Sequence, residues 1–548
     1  MSVFSEAAGF SRLAWDLKAF LRQRLSPDAA RATLRSRLAR RDANFLEMVD
    51  RRIVAVPASP YRPLLALAGC EPGDLEHLVR TRGLEATLRQ LRAEGVYVTF
   101  DEFKGRAPMV RRGREIPLAP GAFRNPLARH YYWTKTGGTT GTGTRVSTDL
   151  ARLADLAPYI LVAHEAYGLA DVPKAIWRGM LPAGAAINSL LASAVTGDFP
   201  RRWFTPLAAG DLTSSRKYPL ATYAIIALSR LNGVPLPWPE HVSPDRADVV
   251  ARWAADAAAS HGRCHVSTSA SMALRVCEAA QAHGLDLTGT TFSGGGEPMT
   301  DAKAAGIARA GADCRPTYFS TETGAIGMSC VSPVDPNDQH LLSDSVALVQ
   351  HPHPVPGVAA AVDAFNVTTL LPSSSHVMLN VELDDYGVVE RRTCGCAFEA
   401  LGFTEHVRHI RSFRKLTGEG VTLVGSDMER ILEQVLPATF GGSPLDYQLS
   451  EEEDATGFTR LALVVSPRVA IRSEADVVKV VLAELGRSGA GSDHARATWQ
   501  HAGTLQVRRT EPVWTDRGKL LPLHFSSRRR PEGDTSQQGR DDRAGRPS

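Results

Sequence analysis

Residues 290–324 read TTFSGGGEPMTDAKAAGIARAGADCRPTYFSTETG, and two β-rich runs inside this stretch, Thr290 to Ser293 and Thr317 to Ser320, set the fold class. The first runs out into Gly294, Gly295, Gly296 and Glu297 before Pro298; the second, carrying Tyr318, Phe319 and Ser320, runs into Thr321 and Glu322. In an open α/β sheet, ligands sit at the carboxyl ends of strands. Glycines there let the backbone come close to a ligand, and hydroxyls and carboxylates supply the polar contacts. Further β-rich runs occupy Cys264 to Ser267, Ser345 to Gln350, His376 to Leu383, Val421 to Val424 and Leu461 to Val465. Helix signals alternate with them. Ser243-Pro244 is an N-cap with proline at the first helical position, followed by Val249, Val250, Trp253, Ala254 and Ala257 on one face. Ser473 caps a second run that turns Val477, Val478, Val481, Leu482 and Leu485 inward. Helices alternating with short apolar strands predict an α/β protein.

The composition agrees. The 548 residues are 43% hydrophobic and 22% charged, a globular balance that excludes a mainly disordered, collagen-like or coiled-coil chain. A net charge of +4, spread along the sequence, predicts no nucleic-acid partner. The longest apolar run, Leu220 to Leu228, falls short of the ~20 residues that cross a bilayer. The first residues place Phe10, Leu13, Leu17 and Leu21 on one helical face instead of forming a leader's apolar core, so a soluble, cytoplasmic protein with no membrane partner is expected. Seven cysteines in such a chain are not a disulfide framework. The part before residue 120 reads as mainly helical, with Pro27 opening one helix and Asp74 capping another through Leu78, Leu84 and Leu88. At 411–420 the chain changes to RSFRKLTGEG, which predicts a hinge. Residues 1–410 then form a large domain and 411–525 a small mobile one; the polar, arginine-rich tail 526–548 is expected to be disordered.

Two more motifs carry chemistry. Thr136-Gly137-Gly138-Thr139-Thr140-Gly141-Thr142-Gly143-Thr144 lets the backbone and hydroxyls wrap an anion, but no Lys-Ser/Thr follows, so it is not a Walker A loop. Near the end, Thr515-Asp-Arg-Gly518-Lys519-Leu520 sets a lysine in a turn. There is no G-x-S-x-G elbow, and His164-Glu165 lacks the second histidine of a zincin helix.

In this order and with the hinge, the motifs resemble the adenylate-forming superfamily of acyl-CoA synthetases, nonribosomal peptide adenylation domains and luciferases. Within it the likeness is greatest to phenylacetate-CoA ligases and the acyl-protein synthetases of luminous bacteria. The resemblance covers Tyr132 to Leu520 and implies a large N-terminal α/β domain with mixed sheets joined by a hinge to a small C-terminal α+β domain. It implies that Thr136 to Thr144 hold the β- and γ-phosphates of ATP, that Gly294 to Gly296, Glu297, Tyr318, Phe319 and Ser320 line the adenine site, and that Thr321 touches the α-phosphate. Glu322 would hold Mg²⁺ and Lys519 would donate to the reacting carboxylate and α-phosphate. The ribose ligand falls on Asp385, with Asp384 and Glu382 as alternatives, and Arg411 matches the hinge arginine. Two departures stand out: Phe319 replaces the usual glycine after the tyrosine, and Phe413-Arg414 replaces the hinge's acidic pair.

Cys330, His340, Cys394 and Cys396 offer three thiolates and an imidazole, a zinc set of structural type similar to one in phenylacetate-CoA ligase relatives. His130, Tyr131 and Ser293 are candidate substrate contacts. The resemblance implies activation of a small carboxylic acid with MgATP, an aryl acid of a natural-product or aromatic-acid pathway, followed by transfer to the thiol of coenzyme A or of an acyl carrier protein's pantetheine. Alternatives are transfer to an amine or hydroxyl, giving an amide, ester or benzoxazole-type product; a long-chain fatty acid as substrate; and a catalytically idle nucleotide-binding relative.

Overall fold

The computed structural model of this chain describes residues 3–135, 145–206, 208, 217–297, 299–354, 361–412, 417–418, 421–422, 426–453, 459–485, 505–514, 518, 520 and 523–525. Six short strands lie parallel, as strands connected through helices must. They are β1 Lys174–Trp177, β2 Arg202–Thr205, β3 Pro239–His241, β4 Cys264–Thr268, β5 Thr290–Gly295 and β6 Asp313–Ser320. Their spatial order is β6-β5-β4-β1-β2-β3, so the chain builds one way from β1 and the other way from β4. Six antiparallel strands extend the same sheet beyond β6: β7 Gly324–Ser329, β8 Gln339–Leu341, β9 Val346–Pro354, β10 Ala361–Thr369, β11 Val381–Arg391 and β12 Glu405–Ser412. From β6 outward their order is β7-β8-β12-β11-β10-β9.

Alternate residues of the parallel strands bury on opposite faces. Ala175, Trp177, Val266 and Phe292 share a core with the helices Ala247–His261, Ala270–Ala282 and Asp301–Arg309. Ile176 and Trp203 share another with the helices Leu150–Ala166, Ala185–Thr196 and Lys217–Leu231. The N-terminal helices cover the antiparallel half, where Phe45, Ile53, Leu88 and Leu91 pack with Val349, Met378 and Val381. A separate four-stranded sheet in the C-terminal region, ordered Leu505–Arg508, Thr459–Val465, Tyr447–Glu453, Leu523–Phe525, has its own core of Met428, Ile431, Leu463, Val477 and Val481.

The α/β class and most of the predicted strands are present, with differences that have local causes. The helix expected to run from Asp74 through Leu88 is two, Pro72–Arg82 and Leu84–Ala93, because Gly83 between them sits at φ +80°. Asp74 lies inside the first turn, where its carboxylate accepts from the Glu71 amide at 3.1 Å in a reciprocal capping pair. The run expected as a strand from His376 starts only at Val381. Asn380 adopts φ +49° and its side-chain amide donates to the Leu88 and Val96 carbonyls, which halts the ladder. All seven cysteines are free thiols, and among the described residues no helix is long and apolar enough to cross a membrane.

Candidate active site at the carboxyl ends of the strands

Tyr318 and Asp385 meet at this edge. β6 carries Tyr318, whose hydroxyl donates to Asp385 Oδ2 at 2.8 Å, joining residues from β6 and β11. Burial and the Asp385 charge raise the Tyr318 pKa, so the hydroxyl stays a donor at neutral pH. Glu382 does not face this point: it pairs with Arg92 at 3.2 Å and His353 at 3.2 Å. Of the three acids open to the ribose reading, Asp385 is the one that Tyr318 holds. Beside Tyr318, the β5 end is closely fitted. A Cβ on Gly294 would come 3.2 Å from Cys314 Sγ, one on Gly295 would come 2.8 Å from Thr317 Oγ1, and Gly296 takes φ +88°. Glu297 is turned away, its carboxylate accepting from the Ser271 amide at 2.8 Å and the Ser271 hydroxyl at 2.6 Å; it works at a helix N-terminus, not as a lining group.

Glu322 follows in the turn after β6. It is buried, with Oε1 on Lys104 Nζ at 2.6 Å and Oε2 accepting from Ser320 Oγ at 3.3 Å. Burial pushes its pKa up, but the Lys104 ammonium outweighs that, and the group lies below the ordinary carboxylate value. Arg152 on the Leu150–Ala166 helix donates to the Thr321 carbonyl at 2.8 Å and to Ser375 Oγ at 3.0 Å. Its guanidinium also stands 5.9 Å from the ring of Phe319, which is 42% exposed beside it. Two cations thus flank the one carboxylate, a balance suited to phosphate. Sequence reading missed both Lys104 and Arg152, since neither belongs to a motif and each arrives from a separate helix.

The phosphate-loop residues Thr136, Gly137, Gly138, Thr139, Thr140, Gly141 and Thr144 lie outside the described residues, as does Lys519. The hairpin that enters and leaves that loop, Tyr132–Lys135 with Arg145–Thr148, is described. So are the neighbours of Lys519. Gly518, at φ +68°, accepts from Ser269 Oγ at 2.9 Å through its carbonyl, and Leu520 bridges to Trp514. The Leu520 carbonyl also accepts from Ser271 Oγ at 3.5 Å, so the backbone on both sides of Lys519 is tied to the chain just after β4.

The remaining candidates separate. Ser293 Oγ bonds His265 Nε2 at 2.7 Å on the sheet face. His130 Nδ1 lies 2.7 Å from Ser147 Oγ and its ring stacks on Trp133; burial and Arg124 hold its pKa below the usual value. Tyr131 is not brought to the strand ends: it is buried, with its hydroxyl on Asp16 of the first helix at 2.7 Å. Arg411 pairs with Glu429 of the C-terminal region instead of with Asp385.

On the antiparallel half, Cys330, His340, Cys394 and Cys396 converge with all ligand atoms within 4.8 Å of one another. His340 Nε2 faces Cys396 Sγ at 3.0 Å and Cys394 Sγ at 3.6 Å, while Nδ1 is held by the Phe403 carbonyl at 2.8 Å. Orientation of the ring by a carbonyl is the usual support of a metal-ligating histidine, and the donor set fits a tetrahedral zinc ion.

No family model and no curated protein matches the sequence. Solved structures do match. A 2-hydroxyisobutyryl-CoA ligase in the postadenylation state, in complex with R3-HIB-AMP, is 13% identical with a TM-score of 0.52, over 92% of this chain and 90% of that one. The same ligase with 2-HIB-AMP and CoA in the thioesterification state gives 0.42 at 13% identity, over 92% and 91%. An anthranilate CoA ligase with anthranoyl-AMP gives 0.41 at 10% identity, over 84% and 79%.

Proposed function

The fold is that of the adenylate-forming enzymes, and from it we propose that the chain is an ATP-dependent carboxylic acid ligase. A carboxylate oxygen of the acid attacks the α-phosphorus of MgATP, the bond to the bridging oxygen of the β-phosphate breaks, and pyrophosphate leaves. A thiol, of coenzyme A or a carrier protein's pantetheine, then attacks the acyl carbon of the adenylate and AMP departs. The acid is of the aryl class. The observation that carries this reading is the meeting of Tyr318, from the same motif as Glu322, with Asp385 from a second motif 67 residues away.

In this reading Tyr318 stacks on adenine and Asp385 takes the ribose hydroxyls. Glu322, drawn off Lys104, contributes a carboxylate to the cation that arrives with ATP, a hard oxygen site. Lys104 and Arg152 then face phosphate oxygens with charge-assisted bonds. Lys519 donates where charge develops on the α-phosphoryl group, the position at which a fixed donor accelerates most. The small region around residues 411–525 rotates between the two half-reactions. The Cys330, His340, Cys394 and Cys396 set binds zinc, which when bound cross-links two loops of the antiparallel half. The test is acid-dependent pyrophosphate release from MgATP over aryl and fatty acids, with and without coenzyme A, with products identified by mass spectrometry. Release with an aryl acid and a thioester product is the expected result; ATP binding without release for any acid overturns it.

A further inference from the structure

The parallel half contains a polar floor that the nucleotide does not use. The strand order reverses between β1 and β4, and in open α/β sheets the crevice outside such a reversal is where ligands bind. Arg178, the residue that follows β1, stands at this point. The register aligns Ile176, Ser267, Ser293 and Arg315 across four strands, and the next row carries Gly295 beside Thr317. Side chains in one row of a parallel sheet share a face. In mid-sheet, under helices, they should be closed off. Yet Arg178, Ser267, Ser293 and Thr317 are only partly buried, whereas Ile176 at the start of the row and Val266, Phe292 and Gly294 on the opposite face are buried.

The chemistry of this row is specific. A Cβ on Gly295 would lie 2.8 Å from Thr317 Oγ1 and 3.8 Å from Arg178 Nη2, so the missing side chain leaves a niche walled by a hydroxyl and a guanidinium. Arg178 Nη2 donates to the Thr268 carbonyl and Nε lies 3.5 Å from Ser267 Oγ, but among the described residues no carboxylate pairs with it. Glu297, whose charge it feels, is engaged by Ser271 and, at 3.6 Å, by Lys303. Burial lowers the Arg178 pKa to about 10, which still leaves it charged at neutral pH. Beneath this row the face stays polar, with His265 on Ser293 and Lys174 on Asp198 at 2.7 Å. An alkyl chain laid here would strip water from these groups and return nothing.

Resting on the ligase reading above, we propose that Arg178 selects the acid, and that the acid carries a second anionic group, a carboxylate, which Arg178 and Thr317 hold at the far end of the acyl site. A guanidinium grips a carboxylate through paired hydrogen bonds, and a site built to do so discriminates strongly against an analogue that lacks the group.

The test compares benzoate with its 3- and 4-carboxy derivatives in wild type, Arg178→Met and Arg178→Lys, by pyrophosphate release and by calorimetric binding of the free acids, with melting curves to verify folding. A dicarboxylate preferred by at least tenfold in kcat/KM is expected in the wild type. Arg178→Met should reduce kcat/KM for the dicarboxylate ~50-fold more than for benzoate, chiefly through KM, and Arg178→Lys should recover part of it. Equal losses on both acids would assign Arg178 to the reacting carboxylate and overturn the proposal, as would a wild-type preference for benzoate. If none of these three acids releases pyrophosphate, the ligase reading is decided by the wider aryl and fatty-acid panel. Calorimetry then decides this inference alone: dicarboxylate binding lost in Arg178→Met supports it, and no binding to the wild type ends it.

Discussion

The cysteine corner and the strand-end crevice are both places where residues distant in sequence converge, but they differ in what is left over. In the corner, four donors point at one another, the histidine's other nitrogen is taken by the Phe403 carbonyl, and Cys330 and His340 are fully buried. Only Cys394 keeps part of its surface exposed. In the crevice, Arg178, Ser267, Ser293 and Thr317 stay partly exposed although a sheet and helices surround them. A closed donor set holds a structure together, whereas an open one is prepared for a molecule that comes and goes.

The largest expected effect strikes the open side. Lys519→Ala should lower acid-dependent pyrophosphate release by at least 100-fold, about 3 kcal/mol of transition-state stabilisation, with the melting temperature unmoved. Unchanged turnover would remove the lysine from the chemistry. The matching blow to the closed side is Cys396→Ser. It should abolish stoichiometric zinc in elemental analysis and lower the melting temperature by roughly 5–10 °C, because metal-binding energy there is folding energy. Full metal content in that variant would mean that another ligand set holds the ion.

Smaller effects sharpen the contrast. Asp385→Asn should raise KM for ATP by about tenfold, the value of one charged hydrogen bond, with less change in kcat. A variant that loses kcat alone would mean that Asp385 does not serve the ribose. The least effect concerns His376, whose ring faces Glu322, Arg152, Lys104 and Arg124 from four elements. Burial keeps its pKa near 4, against an ordinary 6.5, so the folded protein holds it neutral. The unfolded chain takes up the proton first as pH falls below 6.5, and stability declines through the window down to about 4. Between pH 7 and 5.5 this costs about 1 kcal/mol, and denaturant midpoints of His376→Gln should lose that share of the slope.

Legibility followed how local each signal was. The glycine end of β5 and the Tyr318 to Glu322 turn could be read because strand, turn and chemistry occupy consecutive residues. The corner was legible only through residue type, since Cys330 and His340 lie more than 50 residues from Cys394 and Cys396. Lys104, Arg152 and Arg178 carry no local mark: each is an ordinary basic residue until a helix or strand end sets it beside a partner. Glu297 shows the other side of this: its motif resembles a nucleotide contact, while its carboxylate accepts from the Ser271 amide and hydroxyl at a helix N-terminus, a partner the motif does not announce.

By itself, then, the sequence determined the alternation of strands and helices and the glycine-rich strand ends, since these depend on period, turn chemistry and residue type over a few neighbours, and it supplied the thiols and imidazole whose meeting the tertiary structure decided. Tertiary structure alone decided that Asp385, not Glu382, meets Tyr318, that Lys104 reaches Glu322, and that Arg178 stands at the reversal of strand order with no paired carboxylate among the described residues. Those choices rest on register and on which side chains burial leaves without partners, quantities that exist only once distant segments have packed.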